Sequence, residues 1–312
     1  MLDLIYQKIL EYDTIIIHRH TKPDGDALGS QLGLKKALIS TFPNKNVKVV
    51  GDVNEKFLWM GEMDIISDDL YKDALVIVVD TGSSFLISDE RYKLAPYVIK
   101  IDHHIPQGEY GDIAYVDTSS ESASGIVAKF CLDYNFKLNS EAASLLFTGI
   151  ITDSGRFRYQ STTSNTFYVV SKLMEYDIDT EYIYNKIYQD HLKNVKLKGT
   201  MIEKFKTTPN GLAYLINTKE EIASYGISVN DVSRGMVSVM SGIEEISVWA
   251  NFSEDVNGDI YCELRSSGKN VNLIATKYGG GGHLQASGCC VKSFDVVNDI
   301  IKDLDDLAKE DN

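Results

Sequence analysis

Over the first 190 residues, short apolar runs of strand length alternate with longer stretches of helical period, the pattern of βαβ units around a parallel sheet. The apolar runs predict strands at Thr14–His18, Val47–Val50, Ala74–Asp80 and Tyr97–Asp102. Helices are expected at Asp26–Thr41 and Asp89–Leu94, and then at Ser122–Tyr134, Ser140–Thr152, Asn165–Glu175 and Thr180–Gln189. The sheet comes early in this half and the helices late.

From about Gly211 the rhythm changes to that of a smaller α+β unit. Strands are expected at Leu212–Asn217, Ile246–Phe252, Ile260–Arg265 and Ala286–Lys292, with helices at Asp231–Ser241, Val271–Tyr278 and Asp295–Leu307. The polar stretch His191–Lys206 reads as a linker. The expected organisation is therefore α/β: a mostly parallel sheet flanked by helices in residues 1–190, a linker over 191–206 and a smaller α+β domain over 207–312. A chain of 312 residues is long enough for two cores.

Composition narrows the class without changing that picture. Apolar residues make up 44% and charged residues 24%, an ordinary globular balance. Met1-Leu2-Asp3-Leu4 places an acid early with no basic stretch and long apolar run behind it, so a secretory leader is not expected, and no window is apolar enough to span a bilayer. The cysteines Cys131, Cys262, Cys289 and Cys290 form no C-x-x-C pair, which fits reduced thiols and a cytoplasmic location. A net charge of −14 speaks against a protein that tracks long nucleic acid, because such proteins neutralise phosphates with clustered Lys and Arg. A short phosphorylated substrate stays open if metal cations supply the positive charge locally.

The chemistry gathers at the ends of the apolar runs. His20, Asp24 and Asp26 follow the first run in one turn, Asp80 ends the Ala74 run, and Asp102-His103-His104 ends the Tyr97 run. Asp153 closes an apolar helix, where a negative charge opposes the helix dipole and calls for a compensating cation. Each has a plain structural reading: Asp26 as a helix cap, His20 packed on the sheet, Asp80 as a strand cap. Their recurrence at strand ends, where open α/β sheets bind ligands, favours one site holding two divalent ions. Mixed imidazole and carboxylate donors suit manganese better than magnesium, and the absence of thiolates speaks against a structural zinc.

In the second half, Gly279-Gly280-Gly281-Gly282-His283 offers bare backbone amides and an imidazole to an anion, and Arg265 could hold a phosphate bidentately. A flexible loop and a solvated arginine are the plain alternatives.

These residues together resemble the DHH phosphoesterases, and Arg265-Ser266 with Gly280-Gly281-Gly282-His283 resembles the DHH-associated domain of that family's oligoribonuclease branch, so the resemblance covers nearly the whole chain. It implies an active site in the cleft between two domains. It also implies that His20 and Asp24 hold one ion, that Asp26, His103 and Asp153 hold the other, and that Asp80 bridges them. By the same resemblance His104 faces the scissile phosphate, Asp102 orients a histidine, and Arg265, Ser266, Gly280, Gly281, Gly282 and His283 grip the substrate. His18 is given a packing or supporting role.

The implied activity is manganese-dependent hydrolysis of nanoRNA, pApA, cyclic di-AMP or 3′-phosphoadenosine 5′-phosphate by a soluble enzyme, with a homodimer left open as its assembly. Rival readings are a pyrophosphatase or exopolyphosphatase, a long-chain DNA exonuclease and a non-catalytic nucleotide sensor. A dinucleotide-dependent dehydrogenase is weaker still, since no G-x-G-x-x-G follows the first strand.

Overall fold

A computed structural model describes residues 1–105 and 108–309, and the chain divides into two compact units, Met1–Gln189 and Asp190–Asn312. The first unit runs α1 (Leu2–Glu11), β1 (Thr14–His18), α2 (Gly25–Thr41), β2 (Asn46–Val49), β3 (Ala74–Val79), β4 (Tyr97–Asp102), β5 (Ile113–Val116), α3 (Ala123–Asp133), α4 (Ser140–Asp153), α5 (Ser164–Leu173) and α6 (Thr180–Tyr188). Among the described residues its sheet has five strands in the order β2-β1-β3-β4-β5, every neighbouring pair parallel. The order reverses between β1 and β3. The carboxyl ends of β1 and β3 therefore lie at the switch point, the place where sheets of this order bind ligands.

β3 reads ALVIVV with every residue buried, as a central parallel strand covered on both faces must be. α2 is buried on nearly all sides because it packs on the sheet and also against α3 and α4. Its contact with α4 is backbone to backbone: a Cβ on Gly29 would come within 2.7 Å of the Leu145 carbonyl and 2.9 Å of Gly149 Cα. Two antiparallel helices brought this close set the first turn of α2, with Asp26, beside the last turn of α4, with Asp153.

The second unit comprises α7 (Leu192–Lys204), β6 (Lys206–Thr207), β7 (Leu212–Asn217), α8 (Lys219–Tyr225), α9 (Val229–Met236), β8 (Val248–Glu254), β9 (Ile260–Ser266), α10 (Asn272–Lys277), β10 (Gly281–His283), β11 (Ala286–Val291) and α11 (Phe294–Lys309). Its described strands form one sheet ordered β10-β11-β9-β8-β7-β6, antiparallel except for β7 with β8. α11 covers one face with Val297, Ile300 and Leu304, while Met236, Met240, Leu215 and Trp249 build a second cluster. No described helix is long and apolar enough to cross a membrane.

Four sequence readings change. The stretch 191–206 is occupied by helix α7 rather than an open connection, and α7 buries Leu197 and Met201, an i, i+4 pair on one face, in the second unit's core, while Leu192, Val195 and Ile202 stay exposed. The expected helix at Asp89–Leu94 is a 3-10 turn over Glu90–Leu94, and Asp231–Ser241 divides into α9 and a 3-10 turn at Val237–Met240. The glycine tract is not a loose loop. Gly281–His283 is an edge strand paired in register with Ala286–Gly288.

Candidate metal centre

Three chain segments leave the carboxyl edge of the first sheet with ligand-type side chains, and α2 and α4 add two more. His20, just past β1, directs Nε2 at Asp80 Oδ2 at 3.4 Å and at Asp24 Oδ1 at 3.9 Å. His103, just past β4, directs Nε2 at Asp80 Oδ1 and Asp153 Oδ2, both at 3.4 Å, and at Asp26 Oδ2 at 3.8 Å. Donor atoms of His20, Asp24 and Asp80 make one compact group, those of Asp26, His103 and Asp153 a second, and those of Asp80, His103 and His104 a third. Asp80 touches both histidines with different oxygens, so it lies between the first two groups.

The backbone aims each group. Thr21 accepts a hydrogen bond from His20 Nδ1–H at 2.7 Å and Ser120 O takes that of His103 at 3.3 Å, which leaves both Nε2 atoms facing the carboxylates. Asp24 caps α2 by accepting the N–H groups of Asp26 and Ala27, so the cap that the plain structural reading gave Asp26 belongs to Asp24. Asp26 instead accepts the N–H groups of Ala123 at 2.7 Å and Ser124 at 2.8 Å, the free amides opening α3. Asp80 has φ of 47°, in the left-handed region, which costs about 1–3 kcal/mol for a residue with a Cβ and is found where a site demands it.

Electrostatics mark the cluster as short of positive charge. Burial opposes charge on the two imidazoles, yet Asp80 beside them, with Asp24, Asp26 and Asp153, pushes His20 up to about 9 and His103 up to about 10. Burial together with Asp80 and Asp153 holds Asp26 well above the usual carboxylate range. Burial, tempered by His103 and reinforced by Asp80, lifts Asp153 to about 6. Asp80 moves the other way: burial opposes its charge, but His103 and His20 outweigh that and hold it below the usual range. Its Oδ1 is nevertheless buried without a hydrogen-bond partner among the described residues. An orphaned carboxylate oxygen between two imidazole nitrogens, with three further carboxylates around it, is a donor set suited to two divalent cations.

His104 stands beside this cluster, half exposed, donating Nδ1–H to Asp102 Oδ1 at 2.8 Å. Asp102 is buried, and its other oxygen lies 3.1 Å from the buried ammonium of Lys100, which also donates to Gly82 O. Lys100 carries no motif and sequence reading missed it; its one signal is a lysine inside an apolar strand run. The amides of Ala123 and Ser124 were missed too, since nothing local in a sequence says which carboxylate a helix start receives. His18 lies apart from the centre. It packs among Tyr71 and Tyr92, meets Tyr71 Oη at 3.1 Å, and burial pushes it down to about 4.

In the second unit, Arg265, Gly281, Gly282 and His283 line one pocket of about 700 Å³, together with Arg234, Glu263 and Cys290. Ser266 and Gly280 are not among its lining residues. Ser266 is buried with its Oγ donating to Lys269 O, and a Cβ on Gly280 would meet Cys289 Cβ at 2.6 Å. Arg265 is tied down by Glu263 at 2.9 Å and by two backbone carbonyls, and the same carboxylate takes Arg234 Nε at 3.0 Å.

Comparison with known proteins agrees with this geometry. Residues 14–150 match the family described as DHH family, N-terminal domain, and residues 189–310 match the DHHA1 domain. The chain is 42% identical over 305 residues, 98% of each chain, to a protein of Streptococcus mutans named probable bifunctional oligoribonuclease and PAP phosphatase NrnA. It is 37% identical, over 96% of each chain, to the bifunctional oligoribonuclease and PAP phosphatase NrnA of Bacillus subtilis. Among solved structures, an exopolyphosphatase-related protein from Bacteroides fragilis superposes with a TM-score of 0.87 at 28% identity, over 99% of this chain and 97% of that one.

Proposed function

Because this chain belongs to the DHH family of phosphoesterases, we propose that it is a cytoplasmic, manganese-dependent hydrolase of very short oligonucleotides and small phosphorylated nucleotides, releasing mononucleotides. The observation that carries the reading is Asp80, whose two oxygens each face a different imidazole at 3.4 Å, the geometry of a bridging ligand. His20 and Asp24 would hold one ion, Asp26, His103 and Asp153 the other, with Asp80 shared. Bound divalent ions would supply Lewis-acid charge at the phosphate and an acidified water.

The chain's own residues do the rest. Asp102 fixes the His104 tautomer with Nδ1 protonated, so that His104 Nε2 is the atom left to serve the leaving oxygen. Backbone amides of α3 hold Asp26 in one orientation and Nδ1 hydrogen bonds do the same for His20 and His103, so little reorganisation accompanies reaction. Arg265, His283 and the amides of Gly281 and Gly282 are proposed to receive the phosphate that is not cleaved. The charge of −14 disfavours long chains. The free thiols Cys131, Cys262, Cys289 and Cys290 accord with a reducing compartment.

The test is turnover with manganese of pApA, 3′-phosphoadenosine 5′-phosphate, cyclic di-AMP, pyrophosphate and a long RNA. Cleavage of the small nucleotides, abolished by EDTA, is expected. Cleavage of pyrophosphate alone, or equal rates on long RNA, would overturn the assignment.

A further inference from the structure

The chain has six arginines, and four of them are spent on carboxylates: Arg19 on Asp52 at 3.0 Å, Arg91 on Asp89 at 2.7 Å, Arg234 and Arg265 on Glu263 at 3.0 and 2.9 Å. Arg156 and Arg158 pair with no carboxylate among the described residues. In a protein carrying a net charge of −14, two arginines without an acid are unusual company. Both stand within five positions of Asp153, in the turn that follows it.

That turn is built against local preference. Gly155, Arg156 and Phe157 have φ of 57°, 64° and 64°, three consecutive left-handed residues, two of them with a Cβ. The surrounding wiring enforces it: Arg156 N–H donates to Ile151 O at 2.8 Å, Phe157 N–H to Ser154 Oγ at 3.0 Å, and the N–H groups of Arg158 and Tyr159 both to Ser154 O at 3.1 Å. Strain sustained in this way beside a candidate metal ligand marks a site rather than a mere connection.

The turn presents two unused groups. Tyr159 lays its ring over Gly155, where a Cβ would fall 2.5 Å from the ring, and is still 56% exposed. Arg158 folds back to donate Nε–H to Gly155 O at 3.0 Å, and its two Nη groups have no partner among the described residues. Arg156 is occupied differently, with Nη1 donating to Tyr188 Oη at 2.6 Å and its guanidinium over that ring. One open aromatic face and one open guanidinium, a few residues from Asp153, match the two parts of a nucleotide that metals do not recognise. A base stacks on an aromatic ring without sequence preference, and a guanidinium forks onto a phosphate.

The geometry points to the Ser154–Tyr159 turn as a nucleotide ledge at the metal centre, on which Tyr159 stacks the base of a bound nucleotide and Arg158 holds a phosphate oxygen of the same nucleotide. This rests on the proposed hydrolysis of short nucleotides and deepens it, because it gives the metal end of the substrate a preference for a nucleoside over a bare phosphate. Tyr159 is 56% exposed and Arg158 engages the turn through Nε alone, so their loss is expected to appear in binding.

The experiment compares pApA with two analogues that lack one base each, in the wild-type protein with manganese and in Tyr159→Ala, Tyr159→Phe, Arg158→Ala and Arg158→Lys. In the wild type, removing one of the two bases raises KM about tenfold, the scale of one stacked base. In Tyr159→Ala that ratio falls towards one, and Tyr159→Phe restores it. Arg158→Ala raises KM on all three substrates and Arg158→Lys recovers only part. Calorimetry of AMP binding to EDTA-treated protein supplies a readout independent of turnover, and Tyr159→Ala weakens it. A wild type that binds AMP in this way but hydrolyses none of the three substrates would sink the hydrolase reading and leave the ledge standing. Base-dependent KM ratios and AMP binding both unchanged in Tyr159→Ala would overturn the ledge itself.

Discussion

Lys100 and Asp102 lie two residues apart on β4, on the same face of the strand, with Nζ and Oδ2 3.1 Å apart and both side chains buried. Asp102 spends its other oxygen on His104 Nδ1, so Lys100, Asp102 and His104 form one line from the interior to the exposed edge of the candidate metal centre. Burial opposes charge on Asp102, but His104 and Lys100 outweigh it and keep the carboxyl below its ordinary range. A negative Asp102 in turn raises His104 above its ordinary value, against the cost of burial.

Lys100→Met is therefore expected to cost more than its own contacts. It leaves a buried carboxylate oxygen without a counter-charge, and breaking a buried pair from one side typically destabilises by about 3–5 kcal/mol. Denaturant unfolding should show a loss of that order, and adding Asp102→Asn should recover part of it because the stranded charge is removed. Asp102→Asn alone should lower kcat by about 10–100-fold with less change in KM, as loss of an orienting partner does. A double variant no more stable than Lys100→Met would break the argument.

Gly149 sits where α2, α3 and α4 converge. A Cβ there would overlap Ser124 and come within 2.9 Å of Asp26 Oδ1. Gly149→Ala is expected to destabilise by about 1–3 kcal/mol through overpacking, although alanine is the better helix former. It should also weaken manganese binding, since the strain falls on the carboxylate that α3 amides hold in place. Ordinary stability together with ordinary metal affinity would mean the helices can part without disturbing Asp26.

Where chemistry depends on the ends of elements, the sequence was legible. Runs of buried β-branched residues define β1, β3 and β4 to within one residue, and the ligand-type residues follow from where those runs stop. β5 escaped because its apolar run, Ile113 to Val116, is only four residues long, and as an edge strand it buries one of them. α1 escaped because ten residues bury only Ile5 and Ile9. What could not be read were relations across distance: Asp26 with amides 97 and 98 positions away, or Thr208 with Asp305. Backbone packing of Gly29 on Gly149 is equally silent, because a glycine in a helix looks locally like a fault.

Acidity should reveal the same cluster through stability. His20 and His103 are raised to about 9 and about 10 in the folded chain, against an ordinary value near 6.5 in the unfolded one. Raised values mean that the folded state binds more protons between those limits. Their stabilisation is complete below about pH 6.5 and is lost as pH rises through about 9 to 10. The Tm of EDTA-treated protein should fall across that window. Manganese bound by these imidazoles would take the place of those protons, so the gain in Tm on adding it should grow with pH over the same range. A manganese increment that is flat from pH 6.5 to 9 would separate the ion from these imidazoles.

Asp80 distinguishes a shared centre from two separate ones. Asp24 belongs to one donor group only, whereas Asp80 faces His20 with one oxygen and His103 with the other. Asp80→Asn keeps the volume, and asparagine tolerates the left-handed backbone that Asp80 adopts at φ 47°, so the fold should survive. Turnover should nevertheless fall by about 10³-fold or more, because the charge that two bound ions would share is gone. Calorimetry should then show both manganese sites weakened in Asp80→Asn, but only one in Asp24→Asn. If Asp80→Asn weakened a single site, Asp80 would be an ordinary terminal ligand, and hydrolysis would need a different account from a carboxylate shared by two ions.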